Sequence, residues 1–195
     1  MLDLGIQAPL RNEADRQTRT GTACGILPTV KRWQISRFKM GAGRPRVSAG
    51  LLMYRFVDGR LQFLLAHPGG PFFKNKDEGA WSIPKGEVEP GEDLLAAAQR
   101  EFQEELNIIP TGPFIPLAPI RQLGGKIVHA WGVPGNCDPN AISSNTFQLE
   151  WPPRSGHYVE FPEIDRAEFF DVATAKSKII ARQAPLIEEL EQLVT

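Results

Sequence analysis

Three glutamates, Glu101, Glu104 and Glu105, stand at i, i+3 and i+4 of the run REFQEEL. On a helix that spacing gathers their carboxylates on one side, while Ala98, Phe102 and Leu106 turn towards a core. Like charges held so close repel, and the arrangement becomes favourable only when something positive sits among them. Oxygen ligands at this density suit a hard divalent cation, Mg²⁺ or Mn²⁺. For REFQEEL alone, a solvated acidic face is the plainer reading. The preceding Gly86–Gly91 loop shifts the balance, because its glycines let the backbone fold back tightly and present carbonyls or amides to the same ion and to phosphates.

The elements that must position these groups follow from patterning. DLLAAAQREFQEEL (93–106) reads as a helix, with Leu95, Ala98, Phe102 and Leu106 recurring at three- and four-residue steps. Glu92 and Asp93 place negative charge at its positive end, and Asn107 occupies the position of a left-handed terminating residue. Ahead of it, VSAGLLMYRFV (47–57), Asp58-Gly59 and RLQFLLAHP (60–68) read as strand, turn and strand. Residues 69–81 and 82–92 read as two loops. Further strands are expected at 115–123, 126–133, 145–151 and 166–172, with a long polar, Pro-rich segment over 134–162. Helices are expected at 173–182 and 185–194, the second with Pro185 at a first helical position. Strands framing one helix and ending in others imply an α/β chain with a mixed sheet between helices.

Composition bounds the rest. The chain has 195 residues, 42% hydrophobic and 23% charged, with net charge −1, which excludes a wholly disordered or collagen-like chain. Cys24 and Cys137 form no metal or disulfide pattern and are expected as free thiols in a reducing, cytoplasmic setting. No apolar run of about 18 residues exists to span a membrane. Residues 1–46 carry nine basic and three acidic side chains, whereas residues 47–195 carry 13 basic and 20 acidic. That shift marks a boundary between a basic tail, 1–46, and a folded domain, 47–195. The tail reads as an organelle-targeting extension, a basic arm for an anionic partner, or translated sequence ahead of a true start at Met40. Asp3, Glu13 and Asp15 count against the first, and the last is favoured because the patterned chain begins just beyond Met40.

Gly86 to Ile108 resembles the Nudix box, G-x5-E-x7-R-E-U-x-E-E-x-G-U, with U an apolar residue. Gly86, Glu92, Arg100, Glu101, Phe102, Glu104, Glu105 and Ile108 stand in register, and Asn107 replaces the late Gly. Trp81-Ser82-Ile83-Pro84-Lys85-Gly86 is similar to the W-x-x-P-K-G lead-in of diadenosine and diphosphoinositol polyphosphate hydrolases and some MutT-like enzymes. HPGGPFFKNKDEGAWSIPKGE and SNTFQLEWPPRSG resemble a bacterial subgroup of predicted NTP pyrophosphohydrolases. The resemblance spans Val47 to the C-terminus. It implies an α/β/α sandwich that hydrolyses a nucleoside diphosphate linked to another moiety, with Mg²⁺ (or Mn²⁺) as cofactor.

The resemblance also implies roles. Glu104 and Glu105, with the Gly86 carbonyl, would hold the metal, and Glu101 would bind it through water or act as general base. Arg100 would orient a glutamate by ion pairing, and Glu92 would be structural. A further acidic ligand is expected from Glu163, with Glu160 as the alternative. Lys85 is the leading candidate for substrate phosphates, with Lys74 behind it and Lys76, Arg121 and Lys126 weaker. Trp81 is a candidate for stacking a base, as are Phe72, Phe73 and Trp151, and Arg154 for clamping substrate from the long loop. His129 is more simply a structural strand residue.

The expected activity is hydrolysis of a nucleoside triphosphate or dinucleoside polyphosphate by a monomer or homodimer. A nucleotide-sugar or ADP-ribose pyrophosphatase and a non-catalytic Nudix-fold sensor are the alternatives, although sensors typically lose box glutamates. The acidic domain disfavours a long nucleic-acid partner.

Overall fold

The computed structural model describes residues 46–195, so the expectations for the tail lie almost wholly outside the described residues. Strand β1 (Val47–Val57) runs into β2 (Arg60–Pro68) through Asp58 and Gly59, both at positive φ (51° and 74°). That pairing matches the right-handed twist of a two-residue hairpin. After a loop come β3 (Lys85–Glu87) and helix α1 (Leu94–Leu106). Then follow β4 (Ile115–Arg121), β5 (Ile127–Pro134), β6 (Thr146–Glu150), β7 (Tyr158–Pro162), β8 (Ile164–Asp171), α2 (Val172–Lys178) and α3 (Ala184–Val194).

The main sheet has the order β4-β5-β1-β2-β8, with β3 paired to the first half of β1. β1 and β5 are parallel and the remaining pairs antiparallel, so the sheet is mixed. The apolar run of β1 splits by alternation. Ala49, Leu51 and Met53 pack with Ala97, Ala98, Phe102 and Leu106 of α1. Leu52 and Tyr54 pack on the opposite face with Leu186, Ile187 and Leu190 of α3. Helices therefore cover both faces, as expected for the α/β/α sandwich.

Three sequence expectations are revised. Residues 85–87 form a strand, because the glycine at 50 admits a close approach: a Cβ there would lie 2.5 Å from Lys85 Cβ and from the Pro84 carbonyl oxygen. Within the polar 134–162 segment, β7 pairs with β6 as a separate two-stranded hairpin, Thr146 opposite Pro162 through Glu150 opposite Tyr158. The helix expected over 173–182 stops at Lys178, where Ile179 bridges Trp81 and a 3-10 turn (Ala181–Gln183) follows.

Loop 69–80 is tied down from beneath by a buried histidine. His67 is fully buried; its Nδ1 lies 2.6 Å from Asp165 Oδ1 and its Nε2 2.8 Å from the Lys76 carbonyl. A carbonyl only accepts, so Nε2–H donates to Lys76 O and Nδ1 shares its hydrogen bond with Asp165. Gly69 N–H donates to the Glu163 carbonyl (2.9 Å), which joins the same loop to the start of β8. Replacing His67 by Leu should cost on the order of 2 kcal/mol and speed proteolytic cutting within 69–80. Denaturant midpoints and timed digestion check both.

Candidate active site

The acidic helix begins one residue inside the expected span. Asp93 caps it, accepting from the Leu95 and Ala96 amides at 3.0 Å each. Asn107 closes it in the left-handed conformation (φ 57°, ψ 34°), donating its N–H to the Gln103 carbonyl at 2.8 Å. Asn can do this without the full penalty of a bulkier residue. The helix start is further braced by Glu92, whose Oε2 accepts from the Glu89 amide at 2.9 Å.

Arg100 knits the acidic cluster. Its Nε and Nη2 donate to Glu92 at 2.7 and 2.9 Å, and its Nη1 lies 2.6 Å from Glu101 and 3.4 Å from Glu104. Nη2 also reaches the Glu87 carbonyl at 3.2 Å. The hydrogen bonds to Glu92, and then to Glu101, hold the guanidinium firmly in its charged form. Positive charge thus enters among the carboxylates from the protein itself. Among the described residues, no three carboxylate, imidazole or thiol groups are gathered in a closed ligand shell.

The lead-in Trp81–Gly86 is fastened along its whole length. Trp81 N–H donates to Lys178 O, and Ser82 N–H to Ala66 O. Ile83 N–H donates to Gln183 Oε1 at 2.9 Å, and Leu51 N–H to Pro84 O at 3.1 Å. Lys85 N–H donates to Glu105 Oε2 at 3.1 Å. Gly86 pairs with Ala49 of β1 and lies directly beneath Glu101: a Cβ at Gly86 would fall 1.9 Å from the Glu101 carboxylate. The box glycine leaves room for the Glu101 carboxylate where it stands, and no unusual φ is involved.

Glu105 is the electrostatic centre. Loss of hydration pushes its carboxyl up to about 8, opposed by the Lys85 ammonium and reinforced by the charges of Glu101 and Glu163. Glu163, the residue between β7 and β8, is thus felt at Glu105, whereas Glu160 lies on β7 with its carboxylate accepting from the Thr146 hydroxyl. Burial also lowers the Lys126 ammonium, with Lys85 adding to the effect. Lys126 thereby joins Lys85 at this end of the sheet, a proximity that its position beside a turn did not reveal. The register shows it: β3 and β5 flank the first half of β1 on opposite sides.

One candidate is corrected. Trp81 presents no stacking face: it is 1% exposed, its Nε1 donates to Asp77 at 2.8 Å, and its ring packs edge-on against His67 and Phe170. Arg154 sits at φ 64° beyond the tip end of the β6–β7 hairpin. Lys74 is exposed on loop 69–80, and Phe72 of that loop meets Trp151 edge-on at 5.4 Å. His129 lies in register with Ala49, hence in one row with Gly86, and is half-buried. Gln183 and the buried Ser48, whose Oγ has no hydrogen-bond partner among the described residues, were not singled out by sequence reasoning. No spacing rule links residues 48, 83 and 183.

A family model described as NUDIX domain matches residues 44–190. The chain belongs to the Nudix family. Over 61 residues this Nudix chain is 44% identical to the asymmetrical bis(5'-nucleosyl)-tetraphosphatase of Caenorhabditis elegans, a match covering 31% of the chain and 40% of that relative's length. The crystal structure of a C. elegans Ap4A hydrolase binary complex aligns at TM-score 0.52 and 24% identity, covering 76% of this chain and 97% of that one. The NUDIX domain of Shewanella oneidensis NrtR, crystallised with ADP ribose, aligns at TM-score 0.55 and 15% identity, covering 84% and 94%. At these identities both structures establish the fold alone. Among the described residues no helix is long and apolar enough to cross a membrane.

Proposed function

We propose that this Nudix chain is a pyrophosphohydrolase that hydrolyses a phosphoanhydride bond of a nucleoside triphosphate or dinucleoside polyphosphate with the help of Mg²⁺ or Mn²⁺. The observation that carries this reading is the junction of the Trp81–Gly86 lead-in, a strap across the sheet, with α1. The Gly86 backbone lies against the Glu101 carboxylate while the Lys85 amide holds Glu105. One carbonyl, a set of carboxylates and two lysines thus share one small region.

The donor set fits a hard cation. Glu104, Glu105 and the Gly86 carbonyl would hold it, with Glu101 and Glu163 as further oxygen donors. The Glu105 carboxyl, raised first by loss of hydration and further by the charges of Glu101 and Glu163, is one that a bound cation would favour in its charged form. Such an ion, when bound, supplies charge neutralisation of the phosphates and a more acidic water. Lys85 and Lys126 would meet phosphate oxygens further along the chain. Arg100 keeps Glu101 and Glu104 oriented through its hydrogen bonds, and a box carboxylate takes the proton of the attacking water as the P–O anhydride bond breaks and a phosphate leaves. The named relative, an asymmetrical bis(5'-nucleosyl)-tetraphosphatase, supports a polyphosphate substrate. A cytoplasmic site of action and a monomeric or homodimeric state belong to the same proposal.

The test is a panel of nucleoside di- and triphosphates, dinucleoside polyphosphates, nucleotide sugars and ADP-ribose, incubated with Mg²⁺ and with excess chelator, with products separated by chromatography. Turnover of the triphosphates or dinucleoside polyphosphates, lost in chelator, is expected. Turnover confined to nucleotide sugars or ADP-ribose, or persisting in chelator, would overturn the proposal.

A further inference from the structure

Two side chains hold the heart of the lead-in, and only one of them belongs to the acidic helix. Pro84 has no N–H, so Ile83–Pro84–Lys85 hangs from the amides on either side of it. Lys85 N–H is taken by Glu105 and Ile83 N–H by Gln183, one hundred residues away in the chain. Gln183 is fully buried in the 3-10 turn before α3, and its own N–H donates to Ile180 O at 2.7 Å. Ile180 N–H in turn donates to Trp81 O at 2.8 Å, so the turn grips the strap twice.

The orientation of the Gln183 amide is set by chemistry. Turning it over would bring Nε2 against the Ile83 N–H, donor to donor. Its Nε2 is left buried without a hydrogen-bond partner among the described residues. A side chain kept to fill space would be better served by Leu or Met, which bury no unsatisfied donor. The oxygen is the part of Gln183 that the site uses.

We propose that Gln183 is a positioning residue: through the Ile83 amide it fixes the Lys85 ammonium and the Gly86 carbonyl, and so makes the docking of α3 a condition for binding cation and phosphate. The inference rests on the cation and phosphate roles given to Gly86 and Lys85 in the proposed function. It extends the site to the face of the sheet opposite α1.

The experiment uses the full chain and Mn²⁺ alone as first probe, by calorimetry, with nucleotide kinetics second. Gln183→Leu should weaken Mn²⁺ binding and raise KM for the nucleotide by about tenfold each, with kcat changed less than about threefold. Gln183→Glu, which keeps an oxygen at the same reach, should recover most of both. Hydrogen exchange of the wild-type chain guards against a Leu variant that does not fold. Coupling is reciprocal, so saturating Mn²⁺ should slow exchange at the Ile83 and Lys85 amides. Unchanged Mn²⁺ affinity in folded Gln183→Leu, or unchanged exchange at those amides with Mn²⁺ bound, overturns the inference. If Mn²⁺ binding depends on Gln183 but no nucleotide is hydrolysed, the inference stands and the substrate assignment falls. If nucleotides are hydrolysed while Gln183→Leu binds Mn²⁺ as the wild type does, the inference alone falls.

Discussion

Glu105→Gln should cut turnover by orders of magnitude and, in the same molecule, raise the melting temperature of the metal-free protein at pH 8. The folded-state carboxyl lies near 8 against an ordinary 4.5, driven first by loss of hydration. Below about pH 4.5 folded and unfolded chains both hold the proton, and Glu105 contributes no pH dependence. Between 4.5 and 8 the unfolded chain releases it and the folded chain retains it, so stability falls as pH rises. Above about 8 the full penalty is present. Glutamine never ionises, yet its Oε1 still accepts the Lys85 N–H that the glutamate holds at 3.1 Å. Glu105 keeps part of its surface in contact with solvent, which screens the penalty, so the metal-free variant should gain about 2 kcal/mol at pH 8, roughly 4–8 °C in a chain of this size, and nothing near pH 4. Turnover should drop by about 100- to 1000-fold, because a neutral amide is a poor oxygen donor to a hard cation. Mg²⁺ should stabilise the wild type and leave the variant nearly unmoved. Thermal melts in chelator at pH 4 and pH 8, repeated with Mg²⁺ and paired with steady-state kinetics, measure all of this. A variant that melts no higher than wild type at pH 8 would show that Glu105 costs the fold nothing.

The acidic helix was legible in the sequence because its evidence is local. The i, i+3, i+4 spacing, the acidic start at Glu92 and Asp93 and Asn107 at the stop are all properties of one helix, and local geometry repeats wherever the pattern does. Strands β1 and β2 were legible for the same reason, through a two-residue turn with Asp and Gly. What escaped depends on register between distant segments. Lys85–Glu87 became a strand because Gly50 lets β3 lie close against β1. Trp81 was misread as a ligand platform because an aromatic beside a motif looks alike whether it faces solvent or core. His67 pairs with Asp165 and Gln183 with Ile83 across separations of 98 and 100 residues, which no short-range pattern encodes. β7 was missed because Tyr158 and Val159 are exposed and its five residues lack a buried face, so the hydrophobic alternation that marks a half-buried strand is weak there.

Gly86→Ala separates contact from conformation at the site. Its methyl would fall 1.9 Å from Cδ and Oε2 of Glu101 and 2.3 Å from Oε1. Something must move, and the strap is poorly placed to do so: Gly86 pairs with Ala49, Pro84 O accepts from Leu51, and Lys85 N–H is held by Glu105. Glu101 is the part that yields. It is 7% exposed and sits 2.6 Å from Arg100, so displacement disturbs the guanidinium and, through it, Glu92 and Glu104. The expected loss in kcat/KM is about 100- to 1000-fold, for a stability cost of roughly 1–3 kcal/mol. Gly91→Ala is the matched control. Gly91 has φ +82° and nothing within 4 Å of a Cβ, so alanine there meets only left-handed strain, about 1 kcal/mol, with activity near wild type. Equal kcat/KM losses in the two variants would mean that general destabilisation, rather than the Gly86–Glu101 contact, limits the site. A fully active Gly86→Ala would remove Glu101 from the chemistry, since no arrangement keeps both that methyl and that carboxylate where they stand.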